Sequence, residues 1–259
     1  MNLYKFFSLV ERFSQYFQGK GYGGFSINSE VKSIKKLLKL DRDVRVAIDI
    51  GGNIGDYTEA LMETFPGIEV HTFEPSESNV KKLKLRFSKQ KKIKTQQFGV
   101  SNKNDTMTLY SNKEGSGLAS LSKRKLEHLG IDFNLEEKVK IIRFEDYWVD
   151  SLERREIDIL KMDIEGYELF ALEGLGSAIK HIKTIQIEFG GANIDTRTFF
   201  QDFWYFFVQH DYDLFRITPF GVQKIYKYRE QDEFFSTTNF IAINKSEISN
   251  TKNRKIANI

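Results

Sequence analysis

The chain has 259 residues, 40% of them hydrophobic, enough to bury the core of one large domain. Its 39 Lys and Arg against 36 Asp and Glu leave a net charge of only +3, which argues against a nucleic-acid-binding surface, and zero Cys excludes disulfides, thiolate nucleophiles and cysteine-bound metals. The four His are scattered without HxxxH spacing, and no stretch approaches the roughly 18 to 20 apolar residues that span a bilayer, so a soluble, cytoplasmic protein is expected.

At the N-terminus, Leu3, Phe6, Phe7, Val10, Phe13 and Phe17 recur at helical spacing. Glu11 and Arg12 interrupt the run too early for a signal peptide. The spacing predicts an accessory helix over 1–18 that caps the core, with a membrane-surface or homodimer contact as the alternative. Gly21 to Gly24 form a joint, and a second amphipathic helix over 29–40 leads to the first strand. The expected organisation is a helical extension over 1–43, a domain over 44–245 and a frayed polar tail over 246–259.

From residue 45 onward strands and helices alternate. Strands are expected at 45–50, 69–73, 94–100, 157–162, 182–189, 214–218 and 239–243, with helices at 57–65, 79–89, 168–175 and 198–209. This rhythm indicates an α/β fold with a doubly wound, mostly parallel sheet. Met107 to Tyr110 and Val139 to Phe144, with the loop 111–121 between them, read as an inserted antiparallel piece. The lysine-rich run over 81–94 reads as a solvated helix face, and the aromatic run Phe199 to Phe207 as core packing.

The segment Asp49-Ile50-Gly51-Gly52-Asn53-Ile54-Gly55 places an acid at the end of a buried strand, then a glycine turn, then a helix whose first amides are expected to face a ligand. A dinucleotide GxGxxG would need glycine at position 50, which is Ile50, and no Lys-Ser or Lys-Thr pair follows for a P-loop. The remaining pattern, DxGxxxG, suits a ligand with an ammonium group and no phosphate, as in S-adenosylmethionine. The next strand ends in Phe73-Glu74-Pro75, where a carboxylate can accept both ribose hydroxyls, and Val100 and Ser101 are expected at the adenine edge.

Two further strand ends carry acids: Lys161-Met162-Asp163-Ile164-Glu165 and Gln186-Ile187-Glu188. Clustered carboxylates raise one another's pKa, which favours a general base, or attract a hard cation such as Mg²⁺. Asp163 is the first candidate base, Glu165 and Glu188 are alternates, and Lys161 is a charge-balancing partner. Asp163 and Glu188 are the candidate ligands if a metal is used, and a metal-free site is the alternative. Asn193, Asp195 and Arg197, in the loop that follows, are candidates for binding a polyhydroxyl acceptor, with helix capping as the alternative.

The blocks DIGGNIG, TFEP, LKMDIEGYE with ALEGL, and IEF together resemble the FkbM family of S-adenosylmethionine-dependent methyltransferases over about residues 44–244. One departure is Phe144-Glu145-Asp146-Tyr147 before the fourth strand. The resemblance implies a Rossmann-like class I methyltransferase sheet with an antiparallel last strand. It also implies methyl transfer to a hydroxyl of a sugar, glycan or polyketide, for instance in a surface polysaccharide or a glycosylated metabolite. Asp49, Gly51, Gly52, Asn53 and Gly55 would then hold the methionine end, Glu74 and Pro75 the ribose, and Asp163 with Glu165 the junction with the acceptor. An NAD-dependent oxidoreductase and a non-catalytic nucleotide-binding protein are the other readings of the same sheet.

Overall fold

The computed structural model describes residues 2–23, 27–38 and 44–247; the expected tail beyond 247 and Gly24 of the joint lie outside them. Helices α1 (Leu3–Phe17) and α2 (Ile27–Leu38) precede an eight-stranded sheet. In chain order follow β1 (Val46–Ile50), α3 (Asp56–Thr64), β2 (Glu69–Phe73), α4 (Glu77–Arg86), β3 (Ile93–Gln96), β4 (Gly99–Ser101), β5 (Asp105–Ser111), β6 (Leu135–Arg143) and α5 (Phe144–Asp150). The remainder comprises β7 (Ile157–Met162), α6 (Glu168–Glu173), β8 (Ile182–Phe189), α7 (Ala192–Thr196), α8 (Phe200–Gln209), β9 (Tyr212–Thr218), β10 (Gly221–Ile225) and β11 (Thr238–Asn244).

The strand order is β10-β9-β11-β8-β7-β1-β2-β3. Strands β3, β2, β1, β7 and β8 run parallel, whereas β11 pairs antiparallel with both β8 and β9. The expected doubly wound sheet with an antiparallel last strand is therefore present. All five residues of β1 and all six of β7 are buried, because helices cover both faces and no alternation is left to read. On one face Ile48, Ile50, Leu160 and Met162 pack with Phe144, Trp148, Leu172, Phe203 and Phe207. On the other, Ala47, Ile159 and Ile241 pack with Val31, Ile34 and Leu61. Of the aromatic run, Phe200, Phe203 and Phe207 are core, as the helical spacing predicted, whereas Phe199 and Tyr205 are exposed.

Three expectations need correction. The strand expected over 94–100 is two: β3 stays in the main sheet, while β4 crosses to a three-stranded sheet ordered β4-β6-β5. Gly99 allows that crossing, since a Cβ there would run into the Ile141 side chain. Phe144, expected to end a strand, instead opens helix α5, whose buried face is Phe144 and Trp148, spaced i and i+4. Helix α1 does not cap the core, for none of its residues is buried. The inserted antiparallel piece is present as β5 and β6.

Candidate active site

The order in which the strands are added reverses at β1: β2 and β3 lie to one side, β7 and β8 to the other. A crevice must open at the carboxyl ends of these strands, where ligands bind open α/β sheets. There a pocket, open to solvent, is lined by Ile50, Gly51 and Asn53 from the first strand end and by Phe73, Glu74 and Pro75 from the second. Phe98, Gly99 and Val100 form an apolar slot, and Asp163, Ile164 and Glu165 close the third side. The insertion supplies a roof of Leu109, Ser116, Gly117, Ala119 and Leu121. Among the described residues, three carboxylates and no Lys, Arg or His line this pocket.

The amides of the glycine turn, ahead of the helix whose first amides are expected to face a ligand, are themselves engaged. The Gly51 and Gly52 N–H groups both donate to the Phe73 carbonyl, at 2.9 and 3.0 Å, and Asn53 N–H donates to Glu74 Oε2 at 2.9 Å. A turn whose donors are already engaged offers no cradle for phosphate. Gly51 has φ +86°, and a methyl there would collide with the Asp163 carbonyl oxygen, so only glycine lets the two strand ends meet. Gly52 packs on Thr72, and Gly55 packs on Leu83 and Phe87, so both shape the turn from behind and do not line the pocket.

Glu74 is buried, with Oε1 accepting from Ser76 N–H at 2.9 Å and Oε2 from Asn53 N–H. Burial pushes its carboxyl up to about 7 despite those bonds. Each oxygen accepts one backbone bond and keeps capacity for another, in a residue that lines the pocket. Of the adenine candidates, Val100 lines the slot, whereas Ser101 is buried outside it with its carbonyl against Gly174.

Asp49 does not reach the pocket. It lies on the α2/α3 face of the sheet, fully buried, with Oδ2 accepting from Thr58 Oγ1 at 2.7 Å and Oδ1 unpartnered among the described residues. Its register partner on β7 is Lys161, also buried, whose ammonium pairs with Asp163 Oδ2 at 3.0 Å and sits 4.6 Å above the Tyr57 ring. Burial alone would lower the Lys161 pKa; Asp163, Asp49 and Glu30 together raise it. Glu30 comes from α2 and accepts from Gln186 Nε2 at 2.6 Å, while Gln186 Oε1 accepts from Tyr57 Oη at 2.8 Å. A buried polar network thus runs from α2 to the pocket rim, and the sequence reading missed its Glu30 end.

Burial lifts Glu30 from 4.5 to about 7. A carboxyl raised on folding is protonated in both states below about pH 4.5; above that the unfolded chain releases its proton first, and stability falls until about pH 7. Glu30→Gln should therefore match the parent near pH 4.5 and exceed it by up to about 3 kcal/mol near pH 8, at 1.36 kcal/mol per pKa unit. Urea midpoints at both pH values check this; a difference that does not grow with pH would refute the linkage.

At the β7 end the chain turns sharply, with Glu165 at φ +53° and Gly166 at φ +102°. Glu168, fully buried, ties this turn by accepting from Ile164 N–H at 2.8 Å and Gly166 N–H at 3.0 Å, and burial raises it to about 8. Glu165 is not a free acid: Arg124 Nη1 lies 2.5 Å from its Oε2, and Ser120 Oγ donates to its carbonyl at 2.8 Å. Burial and then Asp163 raise Glu165 to about 7 against the pull of Arg124. Glu188 on β8 does not line the pocket; burial, then Asp163, Glu165 and Glu168, push its pKa up. Asp163 and Glu165 both line the pocket and both pair with a cation, but Asp163, one-third exposed, is the more accessible of the two.

The loop after β8 departs most from expectation. Asn193 is internal: its Oδ1 accepts from Gly190 N–H at 2.8 Å and its Nδ2 donates to Thr198 Oγ1 at 2.9 Å. Asp195 faces Arg124 Nε at 3.6 Å, and Arg197 is an exposed αL residue after α7. Loop closure, not acceptor binding, accounts for Asn193. Arg124, absent from the sequence candidates, bridges Glu165 and Asp195 and so fastens the roof to both loops. Among the described residues no three acidic or His side chains converge to hold a metal ion.

Residues 49–214 match the family model described as the Methyltransferase FkbM domain. No curated protein matches the sequence. Among solved structures the chain is similar to a precorrin-6y C5,15-methyltransferase from Geobacter metallireducens, at 9% identity and TM-score 0.43 over 83% of this chain and 86% of that one. It is also similar to an rRNA methylase from Streptococcus thermophilus, at 12% identity and TM-score 0.44 over 82% and 94%. A TehB-like SAM-dependent methyltransferase from Corynebacterium glutamicum gives 12% identity and TM-score 0.44 over 92% and 98%. The family match spans the strand ends that build the pocket: the chain belongs to the FkbM family of S-adenosylmethionine-dependent methyltransferases.

Proposed function

We propose that the protein methylates a hydroxyl of a sugar-containing acceptor, and that its pocket holds S-adenosylmethionine with the ribose on Glu74. One observation carries the cofactor reading: among the described residues Glu74, Asp163 and Glu165 line the pocket and no cationic side chain does. A pyrophosphate would meet only repulsion there, which disfavours NAD, whereas a ligand bearing a sulfonium and an ammonium is drawn in. The apolar slot of Phe98 and Val100 suits a purine, and the engaged amides of the glycine turn need no phosphate.

When bound, S-adenosylmethionine supplies an activated methyl group. The protein's task is then to place the acceptor oxygen in line and receive its proton. Asp163 at the rim accepts that proton, with the Lys161 ammonium held against its carboxylate. Arg124 and Glu165 hold the roof over the reacting edge, limiting water. The sugar hydroxyl follows from the family resemblance, and the cytoplasm, where the cofactor is made, is the proposed site of action.

Incubation of candidate glycans with labelled S-adenosylmethionine, read by mass, tests the acceptor class; transfer to RNA alone would overturn it. For the cofactor, Glu74→Ala should weaken S-adenosylhomocysteine binding by about 1.5–3 kcal/mol, the loss of two hydrogen bonds to a charged acceptor. Calorimetry checks this, and an unchanged affinity would move the ribose elsewhere.

A further inference from the structure

Helix α1 is amphipathic but turned outward. Leu3, Phe6, Phe7, Leu9, Val10 and Phe13 are 42–69% exposed, whereas the residues half-shielded by the protein are Ser8, Gln15 and Tyr16. At about 100° per residue, these apolar side chains with Phe17 cover roughly half the helix circumference. That arc is broader than the narrow seam by which two helices pair. The helix cannot cross a bilayer, being 15 residues, about 22 Å, long and carrying Lys5, Glu11 and Arg12.

The apolar strip continues onto the body: Phe17 stacks on Phe220 at 5.3 Å between ring centres, and Phe220, at the tip between β9 and β10, is 76% exposed. Residues 2–23 carry Lys5, Arg12 and Lys20 against Glu11 alone, and Lys36 reaches to within 3.9 Å of where a Gly221 Cβ would lie beside that tip. A broad aromatic face flanked by surplus cations matches a surface with an apolar interior and anionic headgroups. The attachment is firm, with Gly21 N–H donating to Thr238 Oγ1 at 2.9 Å and Gly23 N–H to the Thr237 carbonyl at 2.9 Å. Thr238 is the register partner of Phe189, next to Glu188, so α1 springs from the same sheet edge as the active site.

We propose that α1 is a bilayer-docking helix, lying in the headgroup region of an anionic membrane and holding the catalytic edge of the sheet beside that surface. The inference stands on α1 and its neighbours and does not depend on which acceptor is methylated. Its test is co-sedimentation of the full chain with phosphatidylcholine vesicles, with or without about 30% phosphatidylglycerol. Binding to the anionic vesicles should exceed binding to the neutral ones several-fold and fall at least ten-fold in Phe7→Ser/Phe13→Ser. The melting temperature of that variant should stay within a few degrees of the parent, since α1 buries nothing. No binding to either vesicle, or equal binding to both, overturns the proposal. So does a vesicle-independent dimer, seen by sedimentation velocity, that the same two substitutions dissolve.

Discussion

Lys161→Met is expected to destabilise the fold by about 3–5 kcal/mol, the scale of removing one partner from a buried ionic cluster. Methionine fills much of the space, so the loss is electrostatic. Lys161 is the cation that the pKa shifts of Asp49 and Glu30 share, and it pairs directly with Asp163. Without it, Asp49 stays fully buried beside a single hydroxyl donor, Thr58, with no counter-charge. The deficit should shrink on acidification, because protonating Asp49 and Glu30 removes the charges left unbalanced. Denaturant titration at neutral and mildly acidic pH measures both parts. A variant as stable as the parent at neutral pH would mean that the network is neutral in the folded state and that Lys161 is not its counter-ion.

Asp163→Asn should leave S-adenosylhomocysteine affinity within a few-fold and lower single-turnover methyl transfer by about 100-fold or more, the usual scale for a positioned base. The amide oxygen can still accept from the Lys161 ammonium, which spans 3.0 Å in the parent, so the rim keeps its shape while losing its proton acceptor. Turnover reduced only a few-fold would shift the role to Glu165, the neighbouring acid at the same strand end that also lines the pocket.

How far the sequence reaches depends on whether a residue's role is local. Strands β2 and β8 fall at 69–73 and 182–189, as the apolar runs and their punctuation predict, because burial on both faces is written in consecutive residues. Glu74, Asp163 and the glycine turn were legible for the same reason: each sits where a strand must end. Glu30 was not. On an amphipathic helix an acid reads as solvated, and only Gln186, 156 positions later, makes it internal. Arg124 was hidden similarly, since its partners Glu165 and Asp195 are 41 and roughly 70 residues away. The roof residues Ser116, Gly117 and Ala119 act by shape, which residue type alone does not announce. Asn193 misled in the opposite direction, because an amide in a rim loop looks available until Gly190 and Thr198 are seen to consume it.

The span of family likeness, 49–214, is shorter than the unit that folds. Strand β8 has β7 on one side and β11, from residues 238–244, on the other, so a chain cut at 214 would expose a long unpaired edge along Ile182–Phe189. A chain begun at 49 would lose Glu30 and leave Gln186 facing an emptied helix position. The boundary of recognisable ancestry and the boundary of cooperative folding differ here. A recombinant fragment cut to the former would be an aggregation-prone sheet, and a workable minimal domain must begin before α2 and run through β11.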